Sequence, residues 1–239
     1  MHGSERAYDQ FAPYFRAYAE ARQAYTDAVD AIIMRDIPAG ARSILDVGAG
    51  DGVRGASIAR ARGLSRLVLA EPSAMMVREC GERGAAEVWA VRAEELPQTD
   101  DRFDVITCLW NVLGHVSPGA ARITALRRMG SLLAADGSVF VDVSNRYNAS
   151  WYGWLPTLRR ALYDALFPSE QNGDVDMIWS VGDEQIPART HVFTPSELMS
   201  LIRAAGLRIK RRHFIDYGSG ETKHFFFEGQ MLCELGLGA

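Results

Sequence analysis

Ile44-Leu45-Asp46-Val47-Gly48-Ala49-Gly50-Asp51-Gly52 decides the fold. Three of its first four residues form a short apolar run, broken only by Asp46. Three alternate glycines follow, and then the pattern of a helix to about Arg62. A buried strand entering a glycine turn at a helix N-terminus suits a nucleotide-like ligand at the carboxyl end of a first strand. Glycine permits positive φ there and lets a ligand approach the backbone. A dinucleotide loop places its third glycine three residues after the second, and this chain has Val53 at that position. The pattern D-x-G-x-G-x-G, with an acid in the strand end, fits a cationic amino-acid head group and nucleoside better than a pyrophosphate.

Outward from this loop, strands and helices alternate. Arg66–Ala70 reads as a second strand with a helix over 73–83. Glu87–Val91 and Phe103–Leu109 read as strands, 119–134 as a helix, and Ser138–Val143 as a fifth strand. Such alternation predicts a parallel sheet covered by helices on both faces. Before it, residues 4–36 carry apolar and aromatic side chains at helical spacing and read as two successive helices. Pro13 starts or kinks one of them. After the fifth strand the rhythm breaks. Residues 145–193 hold eight aromatics, among them Trp151, Trp154 and Trp179. Thr194-Pro195-Ser196-Glu197 opens a helix that Gly206 stops. Strand-like runs at 207–216 and 224–233 read as a closing antiparallel hairpin.

The fold class expected is therefore α/β and Rossmann-like. A mostly parallel seven-stranded sheet ends in an antiparallel hairpin, with an N-terminal helical cap and an insertion after the fifth strand. The division is a single domain over 1–239. It comprises a cap (1–39), a cofactor-binding core (40–143), a substrate-lid insertion (144–193) and a C-terminal helix with strands (194–239).

Glu71 directly follows the second strand, 21 residues after Gly50. An acid there can accept hydrogen bonds from both ribose hydroxyls. With these two features in place the chain resembles the class I S-adenosylmethionine-dependent methyltransferases of small-molecule type. Ile44–Gly52 is similar to the family's first motif and Leu69-Ala70-Glu71-Pro72-Ser73 to its second. Ala93-Glu94-Glu95-Leu96-Pro97 is similar to the segment bordering adenine. Phe103-Asp104-Val105-Ile106 with Asn111-Val112-Leu113-Gly114-His115-Val116 is similar to the fourth motif.

The resemblance implies S-adenosylmethionine as cofactor. Gly48 and Gly50 would contact its methionine moiety, with Ala49 in the same turn and Asp46 shaping the pocket. Glu71 would bind ribose, with Pro72 beside it. Ala93 and Glu94 would lie against adenine, and Leu109, Trp110 and Asn111 would flank the cofactor. Relatives often carry an acid just before the Ala-Glu pair. This chain has Arg92, which cannot accept a bond from adenine and reads as a surface arginine.

Methyl transfer is a displacement at a sulfonium-activated carbon, so the cofactor supplies the leaving group. The protein aligns the reactants and excludes water. A side chain acts chemically only where the nucleophile must lose a proton. The catalytic candidates are His115, just after the fourth strand, Tyr147, just after the fifth, and His191, before the helix at 194. The acceptor expected is an oxygen or nitrogen atom of a small organic metabolite, such as a bacterial natural product.

Two rival readings share these residues. One keeps the cofactor but performs a cyclisation or rearrangement. The other is an NAD-dependent oxidoreductase, opposed by Val53 and Asp46. A non-catalytic S-adenosylmethionine-binding module is a third.

The composition excludes other classes. The chain has 239 residues and a formal net charge of -4. Its basic complement is 24 Arg and two Lys, Lys210 and Lys223, spread without a long basic run. General nucleic-acid binding needs a basic face, so no nucleic-acid partner is expected. The Asn/Asp-Pro-Pro-Tyr/Phe motif of base-flipping amino methyltransferases is absent after the fourth strand. No carboxylate stands where magnesium-dependent relatives keep a ligand, so no metal is expected. Cys80, Cys108 and Cys233 are odd in number and far apart, which reads as reduced thiols in a cytoplasmic protein. No apolar run is long enough to span a bilayer, and no membrane partner is expected. The insertion's tryptophans either wall an apolar or aromatic substrate, form the insertion's own core, or serve a homodimer interface.

Overall fold

The computed structural model describes residues 3–181 and 184–238. Its centre is an eight-stranded sheet. The strands are β1 (Ser43–Val47), β2 (Arg66–Ala70), β3 (Glu87–Trp89), β4 (Phe103–Cys108), β5 (Leu133–Val143), β8 (Leu207–Ile215), β9 (Thr222–Lys223) and β10 (Gln230–Leu237). Their order is β3-β2-β1-β4-β5-β10-β8-β9. The first five are parallel, and β10 joins β5 and β8 antiparallel. The sheet thus matches the expected class with one strand more than seven, the two-residue β9.

Successive residues of each strand feed opposite faces. Ile44, Val105, Phe140 and Leu232 meet α2 (Gln23–Asp36) and α3 (Val53–Arg62) on one side. Leu45, Ile106, Val141 and Cys233 meet α6 (Gly119–Ser131) and α9 (Pro195–Ala204) on the other. β1 and β4 are neighbours although β2 and β3 intervene in sequence. Strand order reverses between them, and this is where α/β sheets open a crevice at the strands' carboxyl ends.

The cap divides into two parts. α2 is a core helix whose Tyr25, Val29, Ile32 and Ile33 are buried. α1 (Gly3–Glu20), which contains Pro13 without being ended by it, packs instead on the insertion. The insertion is more regular than its composition implied. It contains α7 (Ala149–Tyr152), α8 (Trp154–Leu166) and a separate antiparallel hairpin of β6 (Asp174–Val181) and β7 (Glu184–His191). Phe11 of α1 stacks on Trp179 of β6 with ring centroids 4.4 Å apart, joined by Ala7 and Ile186 in a small core. Helices α4 (Ala74–Gly81) and α5 (Val112–His115) complete the set.

Beyond shifts of one or two residues, element ends differ from the sequence reading in three places. α6 stops at Ser131 and β5 starts at Leu133, with a register irregularity before Ser138. β3 ends at Trp89, where the Val91 N–H turns back to the Trp89 carbonyl. The last strand begins at Gln230 rather than at 224. Phe225–Glu228 is a turn closed by the Glu228 N–H and the Phe225 carbonyl. Gly229 then passes so close to the Ile215 backbone that a Cβ would sit 2.5 Å from it. Among the described residues no helix is long and apolar enough to cross a membrane.

Candidate functional site

The loop after β1 is held by short local bonds. The Gly48 and Ala49 N–H groups donate to the Ala70 carbonyl at the end of β2. The Gly50 N–H donates to Glu71 Oε2 at 2.9 Å, and the Ser73 N–H to Glu71 Oε1 at 2.9 Å. Gly48 and Gly50 have φ of +71° and +57°, which an L side chain resists. A Cβ on Gly50 would lie 2.8 Å from the Phe15 ring of α1. Glu71 is buried without a cation beside it, and desolvation pushes its carboxyl up to about 7 despite both backbone donors.

Asp46 lies beneath this loop. It accepts Thr107 Oγ1 at 2.7 Å and closes on Gly55 of α3, where a Cβ would be 2.6 Å from its carboxylate. Burial raises it to about 6. Ala49 turns into the core. Glu94 gives one oxygen to Arg92 at 2.7 Å, and its buried Oε2 has no partner. An unengaged acceptor beside buried Ala93 fits the amino edge of an adenine. Arg92 is not a loose surface residue. It binds Glu94 and, at 2.9 Å, Glu5 of α1.

Two further bonds fasten α1 along the same rim. Ser73 Oγ donates to Asp9 at 2.6 Å, and Arg16 pairs with Asp51 at 2.6 Å. Helix α1 therefore lies across the ends of β1, β2 and β3, tied to each.

After β4 the backbone makes a switchback. Trp110 and Asn111 are consecutive non-glycine residues at φ +57° and +64°. Such residues cost about 1–2 kcal/mol each, and their surroundings hold them. The Trp110 N–H donates to Asp142 Oδ2 at 3.0 Å. Asn111 donates to Thr190 Oγ1 at 2.8 Å and accepts the Ser144 N–H at 2.9 Å. Asp142 also accepts the Tyr25 hydroxyl at 2.5 Å. Among the described residues no group of three or more His, Cys, Asp or Glu is placed to hold a metal ion.

Two cavities adjoin here. The inner, about 90 Å³, is bounded by Gly48, Gly50, Glu71, Pro72 and Leu109, with α1 above. The outer, about 110 Å³, is walled largely by aromatics, including Tyr18, Tyr25, Trp179 and Tyr217, with Asn111 and Thr190 as polar points. Tyr8, Phe15, Trp110 and His115 line both. Both volumes are well below the roughly 300–1,000 Å³ of ligand pockets. The structure is thus a closed arrangement, with Phe15 seated over Gly50.

At the shared wall, His115 Nδ1 is 3.2 Å from the Arg189 carbonyl, which only accepts. Nδ1 therefore carries the proton, and Nε2 presents a lone pair to the Tyr8 hydroxyl at 3.2 Å. Desolvation lowers His115 to about 4, so the ring is neutral near pH 7. Burial raises the Tyr8 phenol well above its usual value.

The other two catalytic candidates stand elsewhere. Tyr147 donates to Asp164 of α8 at 2.9 Å, which also receives Arg146. His191 is fully buried between Asp174 and Glu197, 2.8 Å from each, and joins the hairpin to α9. Neither lines the two cavities. Tyr8 was missed as a partner of His115. Its helical aromatic stripe was visible, but the residue it meets is 107 positions away.

Known proteins place the chain in a family. A family model described as "Methyltransferase domain" matches residues 10–211. Two curated relatives are each 28% identical over 74% of this chain, both "Ubiquinone biosynthesis O-methyltransferase", from Hydrogenovibrio crunogenus and Aeromonas salmonicida. The chain spans 66% and 67% of their lengths. Among solved structures, the CcbJ methyltransferase of Streptomyces caelestis superposes with a TM-score of 0.66. It is 18% identical and covers 89% of this chain and 90% of its own. S-adenosylmethionine-bound CalS10, an amino pentose methyltransferase of Micromonospora echinaspora, gives 0.61 at 17% identity, covering 93% and 95%. At these identities the likeness to solved structures is one of fold.

Proposed function

The chain belongs to the methyltransferase domain family, as an S-adenosylmethionine-dependent enzyme of class I, and from that premise we propose that it methylates an oxygen or nitrogen atom of a small organic metabolite. The carrying observation is the wall shared by the two cavities. The inner one has the glycine turn and Glu71, which suit the methionine and ribose parts of the cofactor. The outer one is aromatic with a few polar groups, as suits an acceptor, and at about 110 Å³ it would admit one only if α1 moves. Names among the relatives support the class of acceptor: ubiquinone biosynthesis O-methyltransferase, and an amino pentose methyltransferase involved in calicheamicin biosynthesis.

In this reading the sulfonium supplies the activated methyl group. Gly48 and Gly50 admit the cofactor's amino-acid end, Glu71 accepts from ribose, and Glu94 Oε2 accepts from adenine. Pro72, Leu109, Trp110 and Asn111 shape the flanks, with Ala93 under adenine and Asp46 and Ala49 supporting the turn from below. α1 and the β6–β7 hairpin form the lid over residues that must exclude water. His115 Nε2 takes the proton an acceptor hydroxyl or amine releases, with the Tyr8 hydroxyl holding that lone pair oriented until the acceptor arrives. Tyr147 and His191 serve the architecture of the insertion.

Incubation with S-adenosylmethionine and a panel of phenols, alcohols and amino sugars tests this. The expected outcome is S-adenosylhomocysteine in step with an acceptor heavier by one methylene. A rearranged acceptor with the cofactor unchanged would overturn methyl transfer. Tight NAD binding with no thermal response to S-adenosylmethionine would overturn the cofactor assignment.

A further inference from the structure

Helix α8 is amphipathic in the wrong sense for a helix on a monomer. Thr157, Arg160 and Asp164 face the body of the protein. Asp164 is engaged there by Arg146, Tyr147 and Asn172, and Arg160 lies over the Tyr152 ring. The opposite side carries Trp154, Leu155, Leu158, Leu162 and Leu166, each 58–66% exposed. These fall at the three- and four-residue spacing of one helical stripe. Tyr163 and Phe167 border it, and Trp154 contacts Phe227 of a loop whose Phe225 is also exposed.

Four aromatic side chains of about 150–250 Å² each, Trp154, Tyr163, Phe167 and Phe225, and the four leucines, all 54–66% exposed, put this face on the order of 1,000 Å² of apolar surface. That exceeds the roughly 300–600 Å² of the largest patch on a typical monomer. It is comparable to the roughly 800 Å² per partner of a standard interface.

We propose that this face is a homodimer interface, with α8 packed antiparallel on α8 of a second copy. Two observations choose a second copy over a lipid surface. A membrane-lying helix keeps a Lys/Arg-rich polar face at the headgroups, whereas Arg160 and Asp164 of α8 are turned inward and engaged, and Arg159 is the helix's one exposed basic residue. The chain is also acidic overall, at -4, which opposes approach to anionic lipid. The stripe itself contains no carboxylate, so two copies can meet about a two-fold axis without like acidic charges facing. A two-fold near residue 160 sets Trp154 against the second copy's Leu166, and Leu158 against its Leu162. The proposal is independent of the acceptor's identity.

Light scattering on the eluting full chain at micromolar concentration should give twice the chain mass. Leu158→Asp with Leu162→Asp should give a monomer whose far-ultraviolet spectrum and cofactor affinity are unchanged. If that pair fails to fold, Leu158→Cys with Leu162→Cys keeps the test open. Mild oxidation should crosslink two chains in that register, the native cysteines being buried. A monomeric wild type, a dimer that survives the aspartates, or a folded cysteine variant that does not crosslink would each overturn the proposal. Co-sedimentation of a monomeric wild type with phosphatidylglycerol vesicles would reassign the face to a membrane.

Discussion

Cofactor affinity should rise as pH is raised from 6 to 8, with Glu71 setting the slope. Its two oxygens accept the N–H groups of Gly50 and Ser73, but no cation compensates its burial, and its pKa stands at about 7 against a usual 4.5. A carboxylic acid uses one oxygen to hold its proton, whereas a carboxylate accepts on both, so a diol favours the ionised form. About one-tenth of Glu71 is ionised at pH 6 and about nine-tenths at pH 8, and the dissociation constant should fall about tenfold. Folding has the opposite sign. Between pH 4.5 and 7 the native state keeps a proton that the unfolded chain has released, so stability falls as pH rises through that window, by up to roughly 3 kcal/mol from this group. Glu71→Gln should flatten both slopes and weaken binding at pH 8 by about 1.5–3 kcal/mol through loss of a charged acceptor. Calorimetric titration with S-adenosylhomocysteine and urea unfolding at several pH values read the two effects. A flat wild-type affinity, or a slope that persists in Glu71→Gln, refutes the role given to this carboxylate.

Three other outcomes are expected. His115→Gln should lower turnover on a hydroxyl acceptor by about 10²–10⁴-fold with cofactor affinity intact, and steady-state kinetics at wild-type rates would leave His115 a packing residue. Phe15→Ala should speed cofactor association in stopped-flow measurements, because it removes the ring seated over Gly50; an unchanged rate would show that the ring does not obstruct entry. His191→Ala leaves Asp174 and Glu197 without their bridge, and the loss of two hydrogen bonds to partly exposed carboxylates should cost about 1.5–3 kcal/mol. Hydrogen exchange should then rise first in the β6–β7 hairpin, and uniform protection would argue against the pin.

What the sequence revealed is what neighbouring residues decide. The Ile44–Gly52 turn, the acid after β2 and the strand–helix alternation depend on contacts within a few residues, and the structure repeats them nearly position for position. The β6–β7 hairpin was missed although Val175, Met177 and Trp179 alternate with Asp174, Asp176 and Ser180. That signal was legible, but the aromatic content drew it toward irregular structure. The outward stripe of α8 was not legible. Its period shows an amphipathic helix, and the usual inference buries the apolar side. Only the bonds of Asp164 and Arg160 reveal that the polar side faces in.

The catalytic candidates illustrate the same limit at the site. His115, Tyr147 and His191 each follow or precede an element that ends near the crevice, so adjacency in sequence ranked them alike. Their partners separate them. His191 meets a carboxylate at each ring nitrogen, an arrangement that fixes the ring and leaves neither nitrogen facing the two cavities. Tyr147 spends its hydroxyl on Asp164. His115 has one nitrogen committed to a carbonyl and the other facing a hydroxyl at the wall of both cavities. Its low pKa follows from burial, which no neighbouring carboxylate offsets, so the imidazolium formed on taking a proton would be short-lived. Such a group suits an acceptor whose proton becomes acidic only as the new bond to carbon forms, which is the case for an oxygen or nitrogen under methylation. The strained Trp110–Asn111 turn ties this geometry to β5. Asp142 fixes the Trp110 amide while Asn111 bonds Thr190 and Ser144. The wall between the cavities is therefore built from β4, β5, β7 and α1 together, an arrangement that no local stretch of the chain could announce.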